Sequence, residues 1–305
     1  MNKNAPYIIK RVQLDDLKQE PAGDIEPHLR YYFSYWWKMV PLGHLYVEQP
    51  DLAGSISWQQ RIWKAVAPAV FFYQKKSNAW TGDIGPLFLE NNFTAFNQAM
   101  DRILDPYTNA RHPDMADASV IICTRNRSED LHRCLVSIFE QTCLPREVIV
   151  IDNAPSDDST LRVVKQFSEV VYYQEPRPGL SIARNAGLRL ATCSIIAFTD
   201  DDVVLHPHWL YHLMESFDSP QVAAMTGLVL ASSLNTESQQ LFEKQYSFNR
   251  GYRDKLYDRN YFKAGLATGP RVWNIGAGAN MAFRKSVLAT TGYFDERLGA
   301  GAAGC

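Results

Sequence analysis

Short apolar runs alternate with amphipathic segments in the second part of the chain, from about residue 118 onward. The runs that predict strands are 119–124, 147–152, 170–175 and 194–200. The segments between them that predict helices are 128–142, 157–169 and 179–192. Such alternation favours parallel strands joined by right-handed crossovers. Because the runs "VIVI" and "IIAF" are continuously apolar, we expect a sheet that helices cover on both faces.

The first part of the chain follows a different pattern. Residues 29–49 read as two strand-like runs around the turn signal "PLG", and residues 57–74 and 88–107 have helical spacing. The polar, proline-containing stretch 105–118 predicts a linker. We therefore expect an aromatic-rich α+β accessory region over 1–112 and an α/β domain over 118–305.

Composition narrows the class of protein. The 305 residues are 46% hydrophobic and 21% charged, as in ordinary globular proteins, and the net charge of −2 gives no reason to expect a nucleic-acid partner. The apolar runs are too short to span a bilayer, and the N-terminus lacks the apolar core of a signal peptide. None of the five cysteines forms a CxxC pair, so we expect reduced thiols and a cytoplasmic location.

Polar residues follow three of the predicted strands, where open α/β sheets bind their ligands. These stretches are "TRNR" (124–127), "DNAPSDD" (152–158) and "TDDD" (199–202). Three successive aspartates repel one another, whereas Mg²⁺ and Mn²⁺ prefer carboxylate oxygens together with substrate phosphates. A cation that carries a diphosphate would make the triplet favourable. A solvated loop, or a cap for the helix expected near residues 206–210, explains the triplet equally well at this point.

Three further features have a functional and a structural interpretation. Asp152 could accept a hydrogen bond from a base or ribose, or it could be a turn residue. Arg184 lies in a helix of small and apolar residues, where it could approach a nucleotide or lie on the surface. The glycine-rich stretch "WNIGAGAN" (273–280) could border a substrate or be a plain connection.

Taken together, five stretches resemble family two glycosyltransferases, in both order and spacing. They are "SVIICTRNRSEDLHRCLVSIFEQT", "EVIVIDNAPSDDST", "RPGLSIARNAGLRLA", "IIAFTDDDVVLHPHWL" and "GANMAFRKSVL…GYFDERLG". The resemblance covers about residues 118 to 305. It implies the GT-A fold, a Rossmann-like, mostly parallel sheet flanked by helices.

The resemblance also implies roles for individual residues. The expected nucleotide-sugar contacts are Thr124, Arg125, Asn126, Asp152, Arg184, Asp200 and Asp201. The expected ligands of a Mn²⁺ or Mg²⁺ ion are Asp200 and Asp202, and the expected sugar and acceptor pocket includes Trp273, Gly276, Gly278 and Asn280.

The implied reaction moves a sugar from a nucleotide-diphosphate sugar, with UDP as the expected nucleotide, to a hydroxyl group with inversion. The acceptor would be a carbohydrate, as in polysaccharide biosynthesis, or a lipid-linked or protein-linked group. Peripheral association with a membrane is compatible with this expectation.

The family's general base lies in an acidic motif shortly after a "GAG"-like stretch, whereas this sequence ends at Cys305 in "GAGAAGC". We therefore expect the domain to be C-terminally incomplete and the base to lie beyond Cys305. One alternative is a non-catalytic module that binds or presents a nucleotide sugar. Another is a nucleotidyltransferase, but the glycine-rich phosphate loop expected after its first strand is absent from "TRNRSED".

Overall fold

The computed structural model describes residues 5–16, 25–26, 28–48, 56–109, 111–266 and 268–301. They form two compact units, the first comprising 1–111 with 230–270 and the second comprising 112–229 with 271–305. We expected 118–305 to form one domain, but residues 230–270 pack within the first unit instead. In the described part of the chain, no helix has the length and apolar character needed to cross a membrane.

The strands are β1 (Tyr7–Gln13), β2 (Arg30–Trp37), β3 (Val40–Val47), β4 (Met115–Thr124), β5 (Leu144–Asn153), β6 (Val170–Glu175), β7 (Ile195–Asp200), β8 (Ala224–Thr226) and β9 (Asn280–Arg284). The α-helices are α1 (Trp58–Ser77), α2 (Gly85–Leu89), α3 (Phe93–Thr108), α4 (Ser128–Phe139), α5 (Ser159–Val164), α6 (Leu180–Leu190), α7 (Trp209–Glu215), α8 (Glu237–Gln245), α9 (Arg259–Ala264) and α10 (Leu288–Thr291). Two 3₁₀ turns cover Val272–Asn274 and Lys285–Val287.

The first unit contains a three-stranded sheet in the order β1-β2-β3, with β1 parallel and β3 antiparallel to β2. Alternate β2 residues Tyr31, Phe33, Tyr35 and Trp37 belong to one buried cluster together with apolar residues of α1 to α3. Tyr32 points to the other face, where it packs with Tyr7 and Leu234. The aromatic run "YYFSYWW" therefore supplies core residues.

The second unit contains a six-stranded sheet in the order β6-β5-β4-β7-β9-β8. The first four strands are parallel, and β9 and β8 add an antiparallel edge. Helix α4 covers one face, where Leu131 and Leu135 belong to the same cluster as Val120 and Val150. Helix α6 covers the other, where Ala183 and Ala186 cluster with Ile121. The predicted fold class, a mostly parallel sheet flanked by helices, is confirmed.

A close contact fixes α6 against the sheet. A Cβ atom added to Gly187 would lie 2.5 Å from Cγ2 of Ile121, well inside van der Waals contact. Only glycine therefore lets the helix approach β4 this closely. That approach sets the position of Arg184, one turn earlier on the same helix.

Several local predictions need correction. The turn between β2 and β3 lies at Lys38 and Met39, with Lys38 at φ +50°, and the "PLG" residues 41–43 lie inside β3. Helix α4 begins at the predicted residue Ser128 but ends at Phe139, before the predicted residue 142. The predicted linker 105–118 includes the last turn of α3 and the start of β4.

Candidate active site

The acidic triplet lies at the carboxyl end of β7, beside the end of β4. In the strand register Asp200 is opposite Cys123, and Thr124 at the end of β4 is opposite Asp152 of β5. The three strand ends therefore lie next to one another, as expected for a doubly wound sheet.

Arg127 links two of the three aspartates. Its Nη1 donates to Oδ1 of Asp201 at 2.8 Å and its Nη2 donates to Oδ2 of Asp202 at 2.9 Å. Asp201 is almost fully buried and also accepts from the Thr124 hydroxyl at 2.7 Å. The Asp202 side chain is about half exposed. Asp201 is thus held within the protein, while Asp202 keeps its second oxygen for another partner.

Asp200 differs from its neighbours in its partners. Among the described residues, none donates a hydrogen bond to its carboxylate, which is partly buried. Burial raises the pKa of Asp200, and the positive charge of Arg184 acts in the opposite direction without cancelling the effect. Burial likewise raises the pKa of Asp201. The ionised forms of Asp200 and Asp201 are therefore costly for the protein alone, and a bound cation would offset that cost.

The Arg184 guanidinium lies against a pair of aromatic rings, Phe198 and Phe294, whose centres are 5.8 Å apart. Its guanidinium carbon lies 5.8 Å from the ring centre of Phe198 and 5.6 Å from that of Phe294, within cation–π range. A Cβ atom added to Gly278 would lie 2.5 Å from Nη2 of Arg184. The structure thus brings two predicted site residues, Arg184 and Gly278, into direct contact.

Helix α6 also fixes the segment that contains Phe294. Asn185 accepts from the Phe294 backbone N–H and donates to its carbonyl, each at 2.9 Å. Glu296 accepts from Asn185 at 3.2 Å and pairs with Arg177 at 3.3 Å. These bonds secure the wall on which the Arg184 guanidinium lies.

Asp152 does not stand beside the other acidic residues. It is fully buried, and its Oδ2 accepts from the Tyr172 hydroxyl at 2.8 Å, while Oδ1 has no partner within the described structure. Strand alternation places it with Val150 on the face covered by α4, whereas Asp200 lies with Phe198 on the face covered by α6. Burial raises the pKa of Asp152. The contact of Asp152 with a nucleobase stays a prediction, and in this structure its carboxylate is hydrogen-bonded to Tyr172.

In the loop after β4, Arg125 and Asn126 are both exposed, and Asn126 is hydrogen-bonded to the loop that follows β5. Arg125 is exposed, and Asn126 adopts a positive φ of 56° and accepts from both the backbone N–H and the hydroxyl of Ser156. Asn126 therefore joins the loops that follow β4 and β5. Arg125 remains available to a ligand at that edge.

The glycine-rich segment combines tight packing with one exposed aromatic residue. A Cβ atom on Gly276 would lie 2.2 Å from Oγ1 of Thr226, so the segment lies directly on β8. The buried Asn280 amide accepts from Trp209 Nε1 at 2.9 Å and donates to the Leu228 carbonyl at 3.1 Å. Its amide groups are thus hydrogen-bonded within the protein, whereas Trp273 is 62% exposed.

The described residues bear on two kinds of chemistry, metal binding and thiol reactivity. Within the described ranges, no group of three or more histidine, cysteine, aspartate or glutamate side chains converges as a complete metal site. Two carboxylates completed by substrate phosphates remain a normal arrangement for Mg²⁺. Cys123 lies opposite Asp200, and burial raises the pKa of its thiol to about 12. It is therefore protonated at neutral pH and suits neither a nucleophile nor a metal ligand.

The family model for glycosyl transferase family 2 matches residues 119–292, more than half of the chain. The chain belongs to glycosyl transferase family 2. The matched range contains the β4 loop, the acidic triplet, Arg184 and the glycine-rich segment.

Family 2 relatives resemble this chain in part. A glucosyl-dolichyl phosphate glucuronosyltransferase of Haloferax volcanii is 23% identical over 193 residues, 59% of this chain and 56% of that protein. The Staphylococcus aureus poly(ribitol-phosphate) beta-N-acetylglucosaminyltransferase TarP is 33% identical over 105 residues, 32% of each chain. The matched stretches therefore span between a third and just over half of these relatives.

A solved structure, that of S. aureus TarS 1–349 in complex with UDP, aligns at 19% identity with a TM-score of 0.43. It covers 60% of this chain and 51% of that one. A likeness at this level carries no argument about ligand or activity.

Sequence reasoning missed the residues that hold the site together. Arg127 stood in the quoted stretch "TRNR" without a role, although its position three residues before Asp130 was visible. Phe294 and Asn185 also had no assigned role. Their contacts join residues about 109 positions apart, which local patterns cannot show.

Proposed function

We propose that this chain transfers a sugar from a nucleotide-diphosphate sugar to an acceptor hydroxyl, using a divalent cation at Asp200 and Asp202. The observation that carries the proposal is the Asp200 carboxylate, which accepts no hydrogen bond from a described residue yet lies in a partly buried, acidic strand end. A buried carboxylate without donors is unfavourable unless a cation or proton joins it.

The donor set suits a hard cation. Asp200 and Asp202 offer carboxylate oxygens at alternate positions, while Asp201 is committed to Thr124 and Arg127. Mn²⁺ or Mg²⁺ held by these two oxygen donors would supply Lewis-acid stabilisation of a diphosphate leaving group. Two carboxylates leave coordination positions for phosphate oxygens and water.

The chain's own residues would orient the donor. Arg184, which lies against the rings of Phe198 and Phe294, presents a positive charge next to Asp200 that suits a phosphate or ribose oxygen. Gly278 leaves the space that its guanidinium occupies. Thr124, Arg125 and Asn126 form the neighbouring loop, and we take uracil as the base on the strength of the sequence resemblance alone.

On the acceptor side, the exposed ring of Trp273 provides an apolar face suited to stacking on a sugar ring. The printed names of relatives mention a dolichyl phosphate-linked sugar and a ribitol-phosphate polymer, which supports a lipid-linked or polymeric acceptor. Asp295 and Glu296 are engaged by Arg297, Arg177 and Asn185, so we assign neither as general base. Inversion at the anomeric carbon is part of the proposal.

Calorimetric titration of UDP, UDP-sugars and GDP with and without Mn²⁺ tests the proposal. The parent should bind a UDP compound only with Mn²⁺, and Asp200→Asn and Asp202→Asn should each reduce affinity at least tenfold. Asp158→Asn, which removes an exposed carboxylate at the start of α5, is the matched control. Absence of metal-dependent nucleotide binding in the parent would refute the proposal. Binding without donor hydrolysis or transfer would support the nucleotide-sugar site and contradict turnover by these 305 residues.

A further inference from the structure

On helix α8 in the first unit, a polar residue is buried and apolar residues are exposed, which is the reverse of the usual arrangement. Its buried residue is Gln240, whose amide donates to the carbonyls of Ala5 and Leu234, each at 3.1 Å, and accepts from Arg30 at 2.9 Å. The next two residues, Leu241 and Phe242, point to solvent. Surface helices normally bury their apolar residues and expose amides. The reversal leaves an apolar strip that the unit does not use for its own packing.

The strip continues past the end of α8. The Phe242 ring lies 6.2 Å from Tyr246 and 5.0 Å from Phe248, measured between ring centres. All three rings are exposed, Tyr246 by 67%. They form a contiguous aromatic surface, which we call the α8 ledge, consisting of Leu241, Phe242, Tyr246 and Phe248. Exposed apolar patches of this kind mark surfaces that contact a partner or a membrane.

Further along the same segment, apolar side chains alternate with cations. Leu256 is 84% exposed and Leu266 is 78% exposed, and α9, which lies between them, has no buried residue among those described. Phe262 and Lys263 on that helix are both exposed. An element that buries so little of itself gains little stability from the unit.

The charge of this segment is opposite to that of the chain. Residues 241–266 contain six basic residues and three acidic ones, and six minus three gives +3, whereas the whole chain carries −2. The basic residues are Lys244, Arg250, Arg253, Lys255, Arg259 and Lys263.

The acidic residues have partners within the unit. Asp254 pairs with Lys76 at 2.8 Å, Asp258 caps α9 through the backbone N–H groups of residues 260 and 261, and burial raises the pKa of Glu243. Arg253, Arg259 and Lys263 are exposed to solvent. Lys244 is paired with Glu48 at 2.7 Å, but Lys255 is exposed as well, so the outward charge of the segment is still positive.

We propose that residues 241–266, which begin with the α8 ledge, form a surface that binds an anionic lipid bilayer. Leucine and phenylalanine side chains enter the acyl boundary, tyrosine suits the headgroup level, and lysine and arginine attract anionic headgroups. Charge complementarity decides the occupant, because a positive, aromatic strip matches a negatively charged surface with an apolar interior. The proposal does not rest on the proposed reaction.

Sedimentation of the 305-residue chain with vesicles tests the proposal. Vesicles of phosphatidylcholine alone are compared with vesicles that also contain phosphatidylglycerol. We expect binding to the anionic vesicles, which weakens as ionic strength rises. The double variant Leu241→Gln with Phe242→Gln should lose at least tenfold in affinity. Arg253→Gln with Lys263→Gln should also lose at least tenfold, at about fivefold per basic residue.

Matched controls come from the same unit. Ile56→Gln with Leu89→Gln removes exposed apolar residues elsewhere, and Lys64→Gln with Lys75→Gln removes two exposed lysines of α1. Both controls should bind as the parent does. Circular dichroism verifies that each variant is folded, and the salt dependence of the parent tests the charge argument without any substitution.

Three results would overturn the proposal. The first is no binding to anionic vesicles, and the second is equal binding to both vesicle types or unchanged binding by the segment variants. The third is a concentration-dependent dimer of the parent that the Leu241→Gln and Phe242→Gln variant abolishes. In that case a second copy of the chain occupies the ledge.

Discussion

Nη2 of Arg127 lies 2.9 Å from Oδ2 of Asp202, so an arginine occupies one oxygen of a carboxylate that we expect to bind a cation. The same guanidinium holds Asp201 at 2.8 Å and lies 3.3 Å from Asp130. A single side chain thus balances three carboxylates around the strand end. Its charge both stabilises the acidic cluster and opposes a second cation there.

Replacing Arg127 should therefore tighten divalent-cation binding. We expect Arg127→Gln to bind Mn²⁺ roughly tenfold more tightly, because a positive charge near the ligands is removed. Electron paramagnetic resonance of free Mn²⁺ measures this without any assay of turnover. Arg133→Gln is the control, since Arg133 contacts Asp130 and has no recorded bond to Asp201 or Asp202. Weaker binding by Arg127→Gln would instead show that Arg127 orients Asp202 for the metal.

Asp200→Asn should raise stability while it removes function. The folded-state pKa of Asp200 is raised, chiefly by burial, so its ionised form costs folding free energy above that pKa. Below the unfolded value of about 3.9 the group is protonated in both states and the cost disappears. We expect a gain of roughly 0.5–2 kcal/mol in unfolding free energy at neutral pH, which shrinks as the pH falls.

Urea denaturation at several pH values measures this gain. Asp202→Asn, which removes a half-exposed carboxylate from its ion pair with Arg127, should give no comparable gain. A destabilised Asp200→Asn variant at neutral pH would contradict the interpretation of Asp200 as a strained, functional carboxylate.

Tyr172→Phe should destabilise the second unit through Asp152. The substitution removes the hydroxyl that donates to Asp152 Oδ2 and leaves a fully buried carboxylate with one donor fewer. We expect a loss of about 1–3 kcal/mol at neutral pH. The loss should decrease on acidification, because the raised pKa lets Asp152 take up a proton more readily than in the unfolded chain.

Tyr173→Phe, on the same strand with an exposed ring, is the matched control and should be neutral. Equal losses in the two variants, or a loss that does not change with pH, would show that the contribution of Tyr172 to stability does not depend on the ionisation of Asp152.

Gly278→Ala and Gly276→Ala should have different effects. The new Cβ at position 278 meets the flexible end of Arg184, so the guanidinium shifts and donor affinity falls while stability is kept. At position 276 it meets the short, β-branched side chain of Thr226, which cannot move away, so we expect about 1–3 kcal/mol of destabilisation. Calorimetry with a UDP-sugar and thermal unfolding distinguish the two effects. Unchanged donor affinity in Gly278→Ala would show that Arg184 does not contact the donor.

The parallel part of the fold was predictable because its signals are local. Strands β4 to β7 and helices α4 to α6 follow the apolar periodicity of the sequence. The three-residue β8 is too short to give a pattern. The return of residues 230–270 to the first unit depends on tertiary contacts such as Leu234 with Tyr32, which no local signal encodes.

The sequence predicted only those site residues that follow directly from the position of the strand ends. Sequence identified the acidic triplet and Arg184, and helix α6 does bring Arg184 near Asp200. It could not show that Asp152 and Asp200 point to opposite faces, because facing depends on the register between β5, β4 and β7. The sequence could not show the contact of Arg127 with Asp201 either, since the pairing of β4 with β7 joins residues that are 74 positions apart.

The return of residues 230–270 makes the aromatic-rich unit discontinuous along the chain. A fragment that starts at residue 112 would carry this segment without the sheet on which Leu234 packs. It would also lack the backbone N–H of Tyr7, which donates a hydrogen bond to the Leu234 carbonyl. Such a fragment would display orphaned apolar surface and aggregate. In evolution, too, the aromatic-rich unit could not be gained or lost by a single terminal fusion, since two separate stretches of the gene would have to change together.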